Sequence, residues 1–99
     1  MLRTRVKFCG ITRQEDAKQA AYVGADAIGL VFYPGSPRFV TTEQAIKIVQ
    51  ALPPYVSKVG VFVNESIGVI RDIYEKVGLD IVQFHGDETP EECESLKKP

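Results

Sequence analysis

Apolar residues fall along this chain in short runs, with stretches of helical period between them. "TRVKFC" (4–9), "DAIGLVF" (26–32), "SKVGVFV" (57–63) and "DIVQF" (80–84) are strand-like. They are nearly continuous apolar runs rather than clean alternations, which predicts parallel strands covered on both faces. "TRQEDAKQAAYVGA" predicts a first helix. Thr12 is its N-cap, Glu15 completes a capping box, Ala17, Ala20, Ala21 and Tyr22 follow the helical period, and Gly24 is the stop. "TTEQAIKIVQAL" predicts a second, capped by Thr41 or Thr42. Ala45, Ile48, Val49 and Leu52 form its apolar stripe, and Pro53 and Pro54 end it. "NESIGVIRDIYEKVG" predicts a third from a capping Asn64 to Gly78, and "PEECESLKK" begins a fourth with Pro90 in its first turn.

The order is βαβαβαβα, an α/β chain of four βα units. Such units are completed either as an open doubly wound sheet or as half of an eight-unit barrel. No GxGxxG or Walker A loop supports the first. Side-chain parity supports the second. Ile28, Leu30 and Phe32 share a bulky apolar face opposite Gly29 and Val31. Arg5, Lys7 and Cys9 share one face of the first strand, and Gln83 and His85 one face of the fourth. Bulky faces are expected to meet outer helices, and small or polar faces to look into a barrel. The third strand does not decide between its two registers. The expected fold is therefore a (βα)4 half of a TIM (β/α)8 barrel, with parallel strands and outer helices. Residues 1–99 are expected to form its N-terminal half.

Composition narrows the partners. The net charge of −1 over 99 residues provides no basic field for nucleic acid. No apolar run reaches the length of a membrane span, and no apolar region follows the early arginines to make a signal peptide. Cys9 and Cys93 are too few and too far apart for a disulfide framework, so a cytoplasmic setting is expected. Neither has the spacing of a zinc site, and no metal is expected.

Three residues are candidates for chemistry. Cys9 ends the first strand, at the carboxyl edge where parallel βα folds build their sites. It is either a small buried hydrophobe or a reactive thiol. His85 ends the fourth strand, where Lys7, Gln83 and His85 form either part of a site or an inward polar layer. Arg38 closes the "YPGSPR" loop and is either solvated or a fork for carboxylate or phosphate. Asp87 and Glu88 suit helix capping. Cys93 shares a helical face with Leu96 and is expected to be inert.

"VKFCGITRQEDA", "GADAIGLVFYPGSPRFV", "KVGVFVN" and "VQFHGDE" together resemble the N-terminal half of the phosphoribosylanthranilate isomerase family. The resemblance spans most of residues 4–89. It implies a (β/α)8 barrel acting in tryptophan biosynthesis without metal or organic cofactor. The implied reaction is an Amadori rearrangement of N-(5-phosphoribosyl)anthranilate to 1-(2-carboxyphenylamino)-1-deoxyribulose 5-phosphate. It implies that Cys9 is the general base, that Arg38 holds the anthranilate end, and that His85 lines the substrate site. The family's general acid is an aspartate on a later strand, and its phosphate loops follow the last two strands. A chain of 99 residues is expected to lack both and to be inactive alone. The alternatives are a non-catalytic half-barrel serving as scaffold or interaction module, and another sugar-phosphate barrel enzyme such as an epimerase, which a metal requirement would distinguish. The open edges of the first and fourth strands are expected to drive self-association. Light scattering at high micromolar concentration checks this: an oligomer is expected, and a monodisperse monomer would contradict it.

Overall fold

The computed structural model describes residues 5–85. The expected fourth helix, with Pro90, Asp87, Glu88 and Cys93, lies outside them. The described elements are β1 (Lys7–Cys9), α1 (Gln14–Tyr22), β2 (Ala27–Val31), α2 (Thr42–Gln50), β3 (Ser57–Val63), α3 (Ile67–Val77) and β4 (Ile81–His85). The four strands form one sheet in chain order, all parallel. A helix connects each strand to the next, as half of a (β/α)8 barrel requires. No helix among the described residues is long and apolar enough to cross a membrane.

The bulky strand face meets the helices, as parity predicts. Ile28 and Leu30 are fully buried, and Phe32 nearly so, in one cluster with Ala17, Ala20, Ala45, Ile48 and Ile70. The register of β3, which parity left open, is settled by Phe62. This residue is fully buried in the same cluster and stacks on Phe32 with ring centroids 5.2 Å apart. Val59 and Val61 then look the other way, beside Gly29 and Val31 of β2 and Ile81 and Gln83 of β4.

The sheet is curved, and one hydrogen bond measures the curvature. Lys7 Nζ donates to Gln83 Oε1 at 2.7 Å, although β2 and β3 lie between their strands. In the strand register Lys7 pairs with Ala27, and Ala27 with Ser57, two residues before Val59, the partner of Ile81. Gln83 therefore lies well ahead of the position directly across from Lys7. A barrel of eight strands with a shear of about 8 advances about one residue per strand step, which is a displacement of this kind.

The turns into β2 and β4 use the same device. Gly24-Ala25-Asp26 and Gly78-Leu79-Asp80 follow α1 and α3. Ala25 N–H donates back to Ala20 O and Leu79 N–H to Tyr74 O, both at 3.0 Å, which closes each helix end. Each aspartate then ties down the start of the preceding strand. Asp26 Oδ2 accepts from Val6 N–H (2.7 Å), and Asp80 Oδ2 from Lys58 N–H (2.9 Å).

Three local expectations are corrected. Thr12 does not cap α1, and no capping box forms with Glu15. Arg13 is the N-cap, in extended conformation and without a side-chain cap bond. Gly10 and Ile11 are tied to Gly29 O and Arg13 is extended, so the helix begins only at Gln14, and the Arg13 side chain bonds Asp16 at 3.2 Å. Tyr22 is not on the apolar side of α1. It lies 87% exposed, because five residues after Ala17 is off the buried face. Asn64 does not cap α3. It adopts φ 49° after β3, and Ser66 Oγ accepts from Val69 N–H instead. Thr41 does cap α2, in a reciprocal box with Gln44.

The caps separate two otherwise similar threonines. Thr41→Ala is expected to destabilise the protein by about 1 kcal/mol in urea unfolding, and Thr12→Ala to have little effect.

Candidate active site

β1 is short and lies at an edge of the sheet, yet its carboxyl end is held on two sides. Gly10 N–H and Ile11 N–H both donate to Gly29 O, at 3.0 and 3.2 Å. Cys9, the last residue of β1, is paired with Gly29 and is exposed with a free thiol. Cys9 is therefore not the buried hydrophobe that its residue type alone allowed.

The loop after β2 brings the second candidate to the same place. Val31 pairs with Phe39, and Val40 N–H donates to Val31 O at 2.9 Å. These contacts pin both ends of the 32–39 excursion together. Within it, Ser36 N–H donates to Tyr33 O (3.0 Å), and Arg38 N–H to Ser36 Oγ (3.1 Å). Arg38 then crosses to β1. A Cβ built on Gly10 would overlap Arg38 Cδ and stand 2.9 Å from its Nη1, so the arginine occupies the space that a side chain at position 10 would need. Gly10 itself has φ +83°, a conformation that L side chains rarely adopt. Arg38, distant in sequence, thus lies against the residue that directly follows Cys9.

His85 is the last residue of β4, in register with Val63, and its side chain lies outside the described residues. Its strand ends at the same edge as β1, with β2 and β3 between them.

The charges have a clear division. Arg13 is held by Asp16, whose hydrogen bond and charge, with the charge of Glu15, make its guanidinium keep its proton more tightly than usual. Lys58 pairs with Asp80 (3.4 Å) and Lys76 with Asp72 (3.2 Å). Among the described residues no carboxylate forms an ion pair with Arg38. Its fork of donors is available to an anion. Also among the described residues, no group of three or more His, Cys, Asp or Glu could hold a metal ion.

A cleft of about 270 Å³ lies on the concave face, lined by Arg5, Lys7, Asp26, Ser57, Val59 and Gln83 among others. It sits toward the amino ends of the strands. Neither Cys9 nor Arg38 lines it. Parity put Lys7 and Gln83 on inward faces, as either part of a site or a polar layer, and the two side chains are hydrogen-bonded to each other. The parts played by Gly10 and Gly29 were missed. Only the register of β1 on β2 and the path of the 32–39 loop reveal them. A glycine directly after the cysteine was the available signal for the first.

Residues 6–99 match the family model for N-(5'-phosphoribosyl)anthranilate (PRA) isomerase. The chain is 63% identical over 92 residues to the N-(5'-phosphoribosyl)anthranilate isomerase of Nitrosococcus oceani, which covers 93% of this chain and 45% of that protein. It is 58% identical over 99 residues to the one from Pseudomonas syringae pv. syringae, covering 100% of this chain and 48% of that protein. The fold is similar to the crystal structure of phosphoribosyl anthranilate isomerase from Thermotoga maritima, with a TM-score of 0.93 and 49% identity over 95% of this chain and 46% of that one. A phosphoribosyl anthranilate isomerase in complex with reduced 1-(o-carboxyphenylamino)-1-deoxyribulose 5-phosphate matches with the same TM-score and identity, over 95% of this chain and 48% of that one. The chain spans about half the length of the curated relatives it matches.

The contact between Gly10 and Arg38 has a thermodynamic signature. Gly24 also has positive φ, at +94°, but a Cβ there would meet nothing within 4 Å. Gly24→Ala is expected to cost only the left-handed strain, about 1–2 kcal/mol. Gly10→Ala should cost more, and the excess should vanish when Arg38→Ala is combined with it in a double-mutant cycle.

Proposed function

The chain belongs to the N-(5'-phosphoribosyl)anthranilate isomerase family, and we propose that it forms the N-terminal half of one (β/α)8 barrel carrying out that family's aldose–ketose isomerisation in the cytoplasm. The substrate is N-(5-phosphoribosyl)anthranilate and the pathway is tryptophan biosynthesis. The observation that supports this reading is the Arg38 side chain lying against Gly10, the residue directly after Cys9 at the carboxyl end of β1.

An anthranilate carries a carboxylate beside the amine that joins it to the sugar. Arg38, with no carboxylate ion pair among the described residues, offers a matching pair of donors. Holding that carboxylate sets the amino-sugar junction near Cys9. The complex of a relative with a reduced carboxyphenylamino-deoxyribulose phosphate supports this substrate class. His85, the last residue of β4, is the third residue assigned to this site in the proposal.

The reaction needs two proton transfers. Protonation of the ribose ring oxygen breaks the C1′–O bond and leaves a Schiff base at C1′. Cys9, acting as the base, then takes the C2′ proton, and the electron pair moves toward the iminium nitrogen to give an enolamine. Tautomerisation of the enolamine gives the 2′-ketone. The proton donor of the first step and the phosphate anchor belong to the C-terminal half of the barrel, so residues 1–99 alone are inactive. No step requires a metal or an organic cofactor.

The open surfaces suit this division. Val6 and Phe8 at the β1 edge are 40% and 37% exposed, and Ile81 on the concave face is 49% exposed. The other half-barrel covers them, and in its absence a second copy of this chain can use the same edges.

The two cysteines separate the roles. In the complete barrel, Cys9→Ala is expected to lower turnover by orders of magnitude, and Cys93→Ala to change it little. Near-normal turnover of the Cys9→Ala enzyme would remove the assignment.

A further inference from the structure

We infer that Gly29 is a positioning residue for the Cys9 thiol, acting through both its carbonyl and its missing side chain. This deepens the isomerase reading and rests on it for its catalytic consequence.

Two independent features of the structure meet at Gly29. The first is its carbonyl, which accepts from both Gly10 N–H and Ile11 N–H. These are the two residues directly after Cys9, where β1 ends and the chain turns toward α1. One acceptor thus fixes the backbone that carries the thiol.

The second is the empty space above Gly29. A Cβ built there would stand 3.0 Å from Cys9 Sγ, 3.3 Å from its Cα and 3.5 Å from its Cβ. Residues paired in a parallel sheet point to the same face, so two side chains at these positions would stand side by side. With none at position 29, the sulfur leans over β2 and rests above the glycine backbone. A methyl group would push it back into another rotamer or lift β1 from β2. Gly29 is buried and its space is filled by the thiol, so the close approach is part of the packing.

The sulfur is therefore aimed by β2, the strand whose following loop delivers Arg38. Both side chains are thereby tied to β2, Cys9 through the seat over Gly29 and Arg38 through the loop that leaves the strand's end.

The test is Gly29→Ala in the complete barrel, read by steady-state kinetics and by the rate at which iodoacetamide alkylates Cys9, followed at that residue by mass spectrometry. A misplaced base should lower kcat about 10- to 100-fold with KM little changed, and the alkylation rate should shift with it. A folded Gly29→Ala enzyme with unchanged kcat and unchanged alkylation would overturn the inference, as would a raised KM at unchanged kcat. If Gly29→Ala does not fold, the double variant Cys9→Ala/Gly29→Ala decides. Folding regained on removing the sulfur supports the seat, and continued unfolding contradicts it. If Cys9→Ala alone keeps full turnover, the isomerase role of Cys9 fails, and the alkylation rate still judges Gly29 by itself.

Discussion

The pairing of β1 with β2 is the contact on which the site depends. β1 is the shortest strand, and its residues are exposed. Few apolar contacts hold it, so its position is set by hydrogen bonds at both ends. Asp26 grips Val6 at the start through a side-chain and a backbone bond. Gly29 O grips Gly10 and Ile11 at the end. Between these clamps Cys9 faces Gly29, and the register leaves it one place to lie. A slip of one residue would turn Cys9 toward the helices and break both clamps.

The sheet is made rigid on one face and left unfinished on the other. Toward the helices the strands bury Ile28, Leu30, Phe32 and Phe62 in a single cluster. On the concave face Val59 lines a cleft together with Lys7 and Gln83, which are hydrogen-bonded to each other. That bond reaches from the first strand to the last and holds the curvature before any closing half is present. A flat sheet would not allow it. The exposed Phe8 and Ile81 mark where the surface expects to be covered.

Much of the architecture is legible in the sequence because the relevant signals are local. Alternation in "DAIGLVF" told inside from outside for Ile28 and Gly29, and the Thr41 cap and the Gly78 stop followed from residue type. The failures were also local, and tertiary contacts caused them. Thr12 lost its cap because Gly29 holds Gly10 and Ile11, and the helix starts only after an extended Arg13. Asn64 gave way to Ser66 because the chain turns through a positive φ after β3. Strand β3 carried apolar residues in both registers, and only the stack of Phe62 on Phe32 chose between them. The site was half visible. Position alone put Cys9 at a strand end, whereas the approach of Arg38 to Gly10 depends on a loop path that no spacing rule encodes. The seat over Gly29 could not be read without the register.

The central claim is that this chain carries the base and the carboxylate fork of an isomerase whose remaining groups lie in the other half of the barrel. The most direct measurement is turnover of N-(5-phosphoribosyl)anthranilate by residues 1–99 alone and after mixing with the separately produced C-terminal half of the Nitrosococcus oceani relative. The account predicts no turnover from residues 1–99 alone and turnover from the mixture that depends on Cys9. Full turnover by residues 1–99 alone would contradict it.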